Sequence, residues 1–254
     1  MRTKTLLVAS AVALTAAINS SQAQTVYSAN IVGYVNQVLP GNGAYTLITS
    51  PLAGSTNAID VLMPSLQSGD SILTWNSANL SYTTWDYIGN GANTVGGTGY
   101  GNWTTNGSTY CGSPTVSAGG SFFYSTGSGN QETNTFTGNV LLTNSIALPG
   151  NGAYVLVAST VPIADYVDDP TNMALPLESG DSVLTWDAST LSYTTWDYIG
   201  NGYNTVGGTG YGNWTTNGVT YSYPPYVTVG EGFFYSTGSG NAETWNQNDS
   251  YINP

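Results

Sequence analysis

SYTTWDYIGNG stands at residues 81–91 and again, letter for letter, at 192–202. Its first seven residues have the period of a β-strand, whose side chains point to alternate faces. Tyr82, Thr84 and Asp86 fall on one face, and Thr83, Trp85 and Tyr87 on the other. The Gly-Asn-Gly that follows ends the run. In front of it, Asn76 to Asn79 and Asp187 to Thr190 are turn-like, and Ser71 to Trp75 and Ser182 to Trp186 read as strands. The unit is therefore a β-hairpin that occurs twice.

The repetition extends outward from this hairpin. LPGNGAY occurs at 39–45 and 148–154, SGDS at 68–71 and 179–182, GGTGYGNWTTNG at 96–107 and 207–218, and FFYSTGSGN at 122–130 and 233–241. The spacing is 109 residues at the first motif and 111 from SGDS onward, so copy two carries a two-residue insertion before Ser179. A unit of about 110 residues is the size of a domain and far too long for a solenoid repeat. We read 24–139 and 140–254 as two tandem copies. Ala44 to Ser50, Ala153 to Ser159 and Ser121 to Thr126 are further strands, and a return strand runs through Thr135-Phe136. Short strands between Gly-Asn turns predict an all-β protein of duplicated sandwich-like or barrel-like domains. Each copy has room for at most one short helix. In copy one Ser55 or Thr56 caps Asn57 to Met63, with Ile59, Leu62 and Leu66 on one side and Pro64 as the stop. Pro170 and Pro176 shorten any counterpart in copy two.

Residues 1–23 read as a secretory signal: Arg2 and Lys4 in front, an apolar run from Leu6 to Ala17, and Ser21-Gln22-Ala23 as the cleavage site. The run is shorter than the roughly 20 residues of a membrane span. The chain has 2 Lys+Arg, no His and 14 Asp+Glu. Both cations lie in the signal, so a mature chain starting at Gln24 carries only negative side-chain charge near neutral pH. Nucleic acids and anionic membrane surfaces are thereby excluded as expected partners, because both need Lys or Arg. The polar Tyr251-Ile-Asn-Pro at the C-terminal end leads us to expect no covalent or membrane anchoring there.

VYSANIVGYVNQVLPGNGAYTLITSPL near the start, GNVLLTNSIALPGNGAYVLVASTV at mid-chain and GEGFFYS in copy two resemble a group of secreted verrucomicrobial proteins of unknown function. More widely, each unit is similar to a bacterial cell-surface β-domain. The resemblance implies fold and an extracellular or cell-surface location, and no chemistry. Copy one has Gly119-Gly120-Ser121 where copy two has Gly230-Glu231-Gly232, which puts a shared role for Glu231 in doubt.

Between Leu80–Gly107 and Leu191–Gly218 only Ala92 and Tyr203 differ, whereas the apolar and linker segments have diverged. Either local gene conversion or a shared constraint explains this, and the constraint is either the backbone demands of many glycines or a surface used twice. Trp85, Tyr87, Trp103, Trp196, Tyr198 and Trp214 are the candidate contact residues. Read as core, Trp85 and Trp196 anchor their domains. Read as exposed, flat rings beside Asp and Asn suit a glycan or another subunit. Trp103 and Trp214, in Gly-Asn-Trp-Thr-Thr-Asn-Gly, have the more loop-like setting and are the preferred contacts.

Other chemistry is sparse. Gly96 to Gly101 lacks the βαβ context of a dinucleotide site. Without His, and with Cys111 as the lone thiol, zinc and copper sites are not expected. Cys111 has Ser222 as its counterpart, so it is either an incidental small residue or one half of an intermolecular disulfide. Asp165, Asp168, Asp169 and Asn172 form the densest oxygen cluster, a solvated loop or a calcium site. No other cofactor is expected. Asp86 and Asp197 are the repeated carboxylates, and they could pair for glycoside hydrolysis only if the copies faced each other. The reading is a secreted, non-enzymatic structural or adhesion protein of the cell surface or extracellular matrix, with possible self-assembly. The alternative is a tandem carbohydrate-binding module.

Overall fold

The computed structural model describes residues 32–41, 43–89, 102–200, 213–218, 220–238 and 240–248. The signal at 1–23, the Gly96–Gly101 stretch and the tail at 251–254 lie outside them. Copy one contributes β1 (Val32–Leu39), β2 (Thr46–Thr49), α1 (Ile59–Leu62), β3 (Ser71–Asn76), β4 (Ser81–Tyr87), β5 (Trp103–Thr105), β6 (Thr109–Cys111), β7 (Ser121–Ser125) and β8 (Glu132–Asn139). Copy two contributes β9 (Thr143–Leu148), β10 (Tyr154–Val157), β11 (Asp165–Tyr166), β12 (Ser182–Asp187), β13 (Ser192–Tyr198), β14 (Trp214–Thr216), β15 (Thr220–Ser222), β16 (Tyr226–Val227), β17 (Phe233–Ser236) and β18 (Glu243–Asn248).

The quoted stretch is the second arm of the β3–β4 hairpin, with Trp75 opposite Tyr82 and Ser71 opposite Asp86. Copy two repeats the register with Trp186 opposite Tyr193 and Ser182 opposite Asp197. The turns end on Leu80 and Leu191, both at φ 51°, a left-handed conformation uncommon for leucine. Asn76 and Asp187 hold the turns open to that shape: their Oδ1 atoms accept from the N–H groups of Ala78 (3.0 Å) and Ser189 (2.8 Å).

Each hairpin sits inside a six-stranded antiparallel sheet, ordered β2-β7-β3-β4-β5-β6 in copy one and β10-β17-β12-β13-β14-β15 in copy two. Two-stranded ribbons, β1–β8 and β9–β18, cover them, and copy two adds a short β11–β16 ribbon. The protein is all-β and sandwich-like, with one four-residue helix and no closed barrel among the described residues.

Both faces of each central sheet are apolar. In copy one, Ile48, Ile72, Phe122, Tyr124 and Trp103 turn to the copy's own core, where they meet Leu39 and Phe136 of the ribbon and Ile59 and Leu62 of α1. The alternate residues Leu47, Leu73, Trp75 and Phe123 turn the other way and meet Leu156, Leu184, Trp186 and Phe234 of copy two. All five residues of β7 are buried for this reason, as expected of a strand covered on both sides. At about 1.5–3 kcal/mol for each large apolar side chain buried, the shared cluster, in which Leu47, Phe123, Leu156 and Phe234 are buried, is a third and smaller core that joins the copies. Residues 32–254 accordingly form one compact unit. Each copy keeps its own sheet and core within it. Backbone bonds cross between copies in matched fashion: Thr49 N–H donates to Gly230 O at 3.0 Å and Ala158 N–H to Gly119 O at 2.9 Å.

Two repeated motifs meet at one point. Asp70 of SGDS is fully buried and accepts from the N–H groups of Gln67 (2.7 Å) and Gly127 (2.9 Å) and from the Tyr124 hydroxyl (2.7 Å). Asp181 does the same with Glu178 (2.7 Å), Gly238 (2.8 Å) and Tyr235 (2.6 Å). The backbones cross so closely that a Cβ on Gly127 would lie 2.2 Å from the Gly69 carbonyl carbon. SGDS and FFYSTGSGN are thus two sides of one brace.

The helix is shorter than the sequence reading. α1 starts after Ala58, which makes no side-chain cap, so neither Ser55 nor Thr56 caps it. In copy two the corresponding segment, around Pro170, is turn and the β11–β16 ribbon instead.

Candidate functional site

The repeated hairpins meet each other across the seam between copies. Trp75 Nε1–H donates to Tyr154 O at 2.8 Å, and Trp186 Nε1–H donates to Tyr45 O at 2.8 Å. On the axis of this pseudo-symmetry the Tyr82 and Tyr193 hydroxyls hydrogen-bond at 3.1 Å. Edge-on ring contacts surround them: Trp75 with Phe234 at 5.1 Å and Phe123 with Trp186 at 5.2 Å. Burial, then the Tyr82 hydroxyl, pushes the Tyr193 pKa far above the usual tyrosine value, and burial raises that of Tyr82. Two hollows of about 250 and 230 Å³ flank the tyrosine pair, walled by rings and by Leu73 or Leu184. They offer almost no polar atoms and so no purchase for a sugar.

The structure corrects the preferred contact residues. Trp103 and Trp214 are each 1 % exposed and lie in the private cores. They are not on loops: each opens a short strand opposite Tyr87 or Tyr198. Thr104 and Thr105 continue the strand, and the Asn-Gly after them is a tight turn, with Asn106 and Gly107 at φ 49° and 72°, the pattern that Asn-Gly favours in hairpins. Trp85, Tyr87, Trp196 and Tyr198 are partly buried against the same cores. Trp85 Nε1–H donates to Thr74 Oγ1 at 2.9 Å and Trp196 Nε1–H to Thr185 Oγ1 at 3.0 Å. Of the residues in β4 and β13, Tyr82 and Tyr193 are the ones that reach the other copy, and they are absent from the candidate set.

The four candidate calcium ligands each make hydrogen bonds within copy two. Among the described residues no group of three or more carboxylate, thiol or imidazole side chains is placed to hold a metal ion. Asp165 Oδ2 accepts from Asn172 Nδ2 at 2.6 Å, and Asp169 Oδ1 accepts from the N–H groups of Thr171 and Asn172 at 2.8 and 2.9 Å. Asp168 Oδ2 accepts from Trp214 Nε1–H at 3.1 Å. Each acid holds a turn or a neighbouring side chain in place. Trp103, with no aspartate at that place, has no protein acceptor for its Nε1–H.

Asp168 and Asp169 do line a groove of about 540 Å³, together with Tyr166, Pro170, Tyr223 and Pro224. Tyr166, Tyr223 and Tyr226 are 44–51 % exposed. Tyr166 and Tyr226 pack edge-on at 5.2 Å as cross-strand partners in the β11–β16 ribbon. Copy one has Gly112-Ser113-Pro114-Thr115 where copy two has Tyr223-Pro224-Pro225-Tyr226. That substitution is legible in the sequence once the copies are aligned, and it is the signal that a search for repeated residues misses.

The remaining groups are occupied by structure. Asp86 and Asp197 accept from the Ser71 and Ser182 hydroxyls at 2.6 and 2.8 Å. Cys111 is half-buried on β6 opposite Trp103, and burial raises its thiol pKa, against a smaller lowering by Thr105. A raised pKa reduces the thiolate that oxidation requires. Among the described residues no helix is long and apolar enough to cross a membrane. Set against known protein families, curated proteins and solved structures, the chain matches none of them.

Proposed function

We propose that this protein is a secreted, non-enzymatic structural or adhesion protein of the bacterial cell surface or extracellular matrix. The observation that carries the reading is what the repeated residues do. The duplicated acids, Asp70 with Asp181 and Asp86 with Asp197, each take hydrogen bonds that hold loops or strands. The duplicated aromatics build the private cores and the seam. What the duplication preserves is a scaffold. The signal-like residues 1–23 support export, and the confinement of Lys and Arg to positions 2 and 4 argues against nucleic acid or anionic membrane as partners. Self-association is supported by the outer face of β1, where Val32, Tyr34 and Val38 are 57–74 % exposed and uncharged.

The test is to raise antibodies to the full chain and locate it in the native cells by surface labelling, fractionation and N-terminal sequencing. The reading expects surface or matrix protein that begins at Gln24. Cytoplasmic protein that retains Arg2 and Lys4 refutes it. Glycan binding remains the second reading, and the tyrosine groove of copy two is the observation that favours it.

A further inference from the structure

We propose that the groove formed by Tyr166, Asp168, Asp169, Pro170, Tyr223 and Pro224 binds a neutral hexose unit of an oligosaccharide, and that only copy two carries such a site. The inference rests on the extracellular reading above and gives that protein a partner.

Three observations lead to it. First, the groove combines flat apolar rings with carboxylates, and pyranose rings present CH faces to stack and hydroxyls to donate. Second, the acids are pinned. Trp214 fixes Asp168, and two backbone N–H groups fix Asp169. A carboxylate has about four acceptor positions, so each keeps acceptor capacity in a set direction. Fixed acceptors suit directional hydroxyl hydrogen bonds more than a mobile cationic side chain. The same two negative charges, with no Lys or Arg after position 4, repel uronate or sulfate groups and restrict the ligand to neutral sugars. Third, the tyrosines do no core work that copy one requires. At the place of Tyr223 copy one has Gly112, and at the place of Tyr226 it has Thr115, yet its core closes without them. Large exposed rings gained by one copy beside an acid-lined groove are a surface built for contact.

The test uses the full secreted chain against cellohexaose, laminarihexaose and maltohexaose as neutral probes. Heparin is the anionic probe and polylysine the cationic one. Titration calorimetry reads affinity and stoichiometry at low and high salt. The expected result is one site per chain for at least one neutral hexaose, little changed by salt, and no heparin binding. Tyr223→Ala and Tyr166→Ala weaken it about tenfold or more, Tyr223→Phe keeps it within about threefold, and Tyr110→Ala, an exposed tyrosine of copy one, leaves it unchanged. Far-UV circular dichroism confirms that the variants are folded, and loss of the wild-type Tyr223 ring signal on titration reads the site should Tyr223→Ala not fold. Two sites per chain, or loss of binding in Tyr110→Ala, overturns the assignment to copy two. Salt-sensitive binding of polylysine alone makes the groove a docking surface for basic protein and overturns the sugar assignment, as does binding of none of the probes. Surface location is measured separately, so a protein that is exported and binds no sugar sinks this inference alone.

Discussion

Removing the hydroxyls of Tyr82 and Tyr193 asks whether the repeated hairpins touch. They are 111 residues apart in sequence and 3.1 Å apart at their oxygens. A net intramolecular hydrogen bond contributes about 0.5–1.5 kcal/mol. Tyr82 is 37 % exposed, so water competes for it and the middle of that range, about 1 kcal/mol, is the reasonable expectation. Tyr82→Phe deletes one hydroxyl and leaves the Tyr193 hydroxyl without its partner. Tyr193→Phe does the reverse. The double variant removes both oxygens and strands neither. Each single change should therefore cost about 1 kcal/mol and the double about the same, which gives a coupling of about 1 kcal/mol. For a unit of this size that is a loss of about 2–4 °C in Tm per variant. Urea unfolding of the full chain and its three variants measures the cycle. Additivity within about 0.3 kcal/mol would refute the contact, because distant sites do not couple.

Three further outcomes follow from the same geometry. Trp214→Phe should cost more than Trp103→Phe, because Trp214 donates to Asp168 and Trp103 has no protein acceptor; equal costs by urea unfolding would deny that asymmetry. Glu243→Gln should stabilise the protein at pH 7. Burial, then Asp181 and Glu178, raises the Glu243 pKa, so its protonated form favours the fold below the unfolded value and that benefit disappears as pH rises through the folded one. The advantage of the glutamine should shrink toward pH 4, and a pH-independent difference would contradict it. Stability should also fall as pH climbs above about 10, where unfolded tyrosines ionise. Tyr124, Tyr193 and Tyr235 are held well above that value by burial first, and next by Asp70, Tyr82 and Asp181 respectively. A urea midpoint that is flat from pH 9.5 to 11 would show that these hydroxyls do not bear on folding.

The hairpin at 71–87 was legible in the sequence because alternation and turn residues agree there, and both arms have the expected faces. What alternation could not say is that both faces are interior. A strand with apolar residues on one face and tyrosine, tryptophan and threonine on the other reads as half-exposed. Here the second face meets another copy of itself. The loop-like reading of Trp103 and Trp214 failed for a different reason. Dense Gly and Asn suggested irregular chain, while Asn106-Gly107 and Asn217-Gly218 are hairpin turns between three-residue strands. The braces at Asp70 and Asp181 were visible only as repeated letters, since burial of an acid without a cation is settled by backbone N–H groups and a tyrosine that sequence does not place. The copy-two groove lay in the unrepeated residues, which an argument from repetition passes over.

The duplicated aromatic stretch is a seam between copies rather than a surface offered outward. Selective labelling of tyrosine and phenylalanine in the full chain, followed by a nuclear Overhauser experiment, measures that contact. Cross-peaks are expected between the ring protons of Tyr82 and Tyr193, and from each to the Phe123 and Phe234 rings, 5.8 Å away between ring centroids for Tyr82–Phe123 and Tyr193–Phe234. Tyr82 and Tyr193 rings that show exchange with water alone, and no contact with each other, would contradict it.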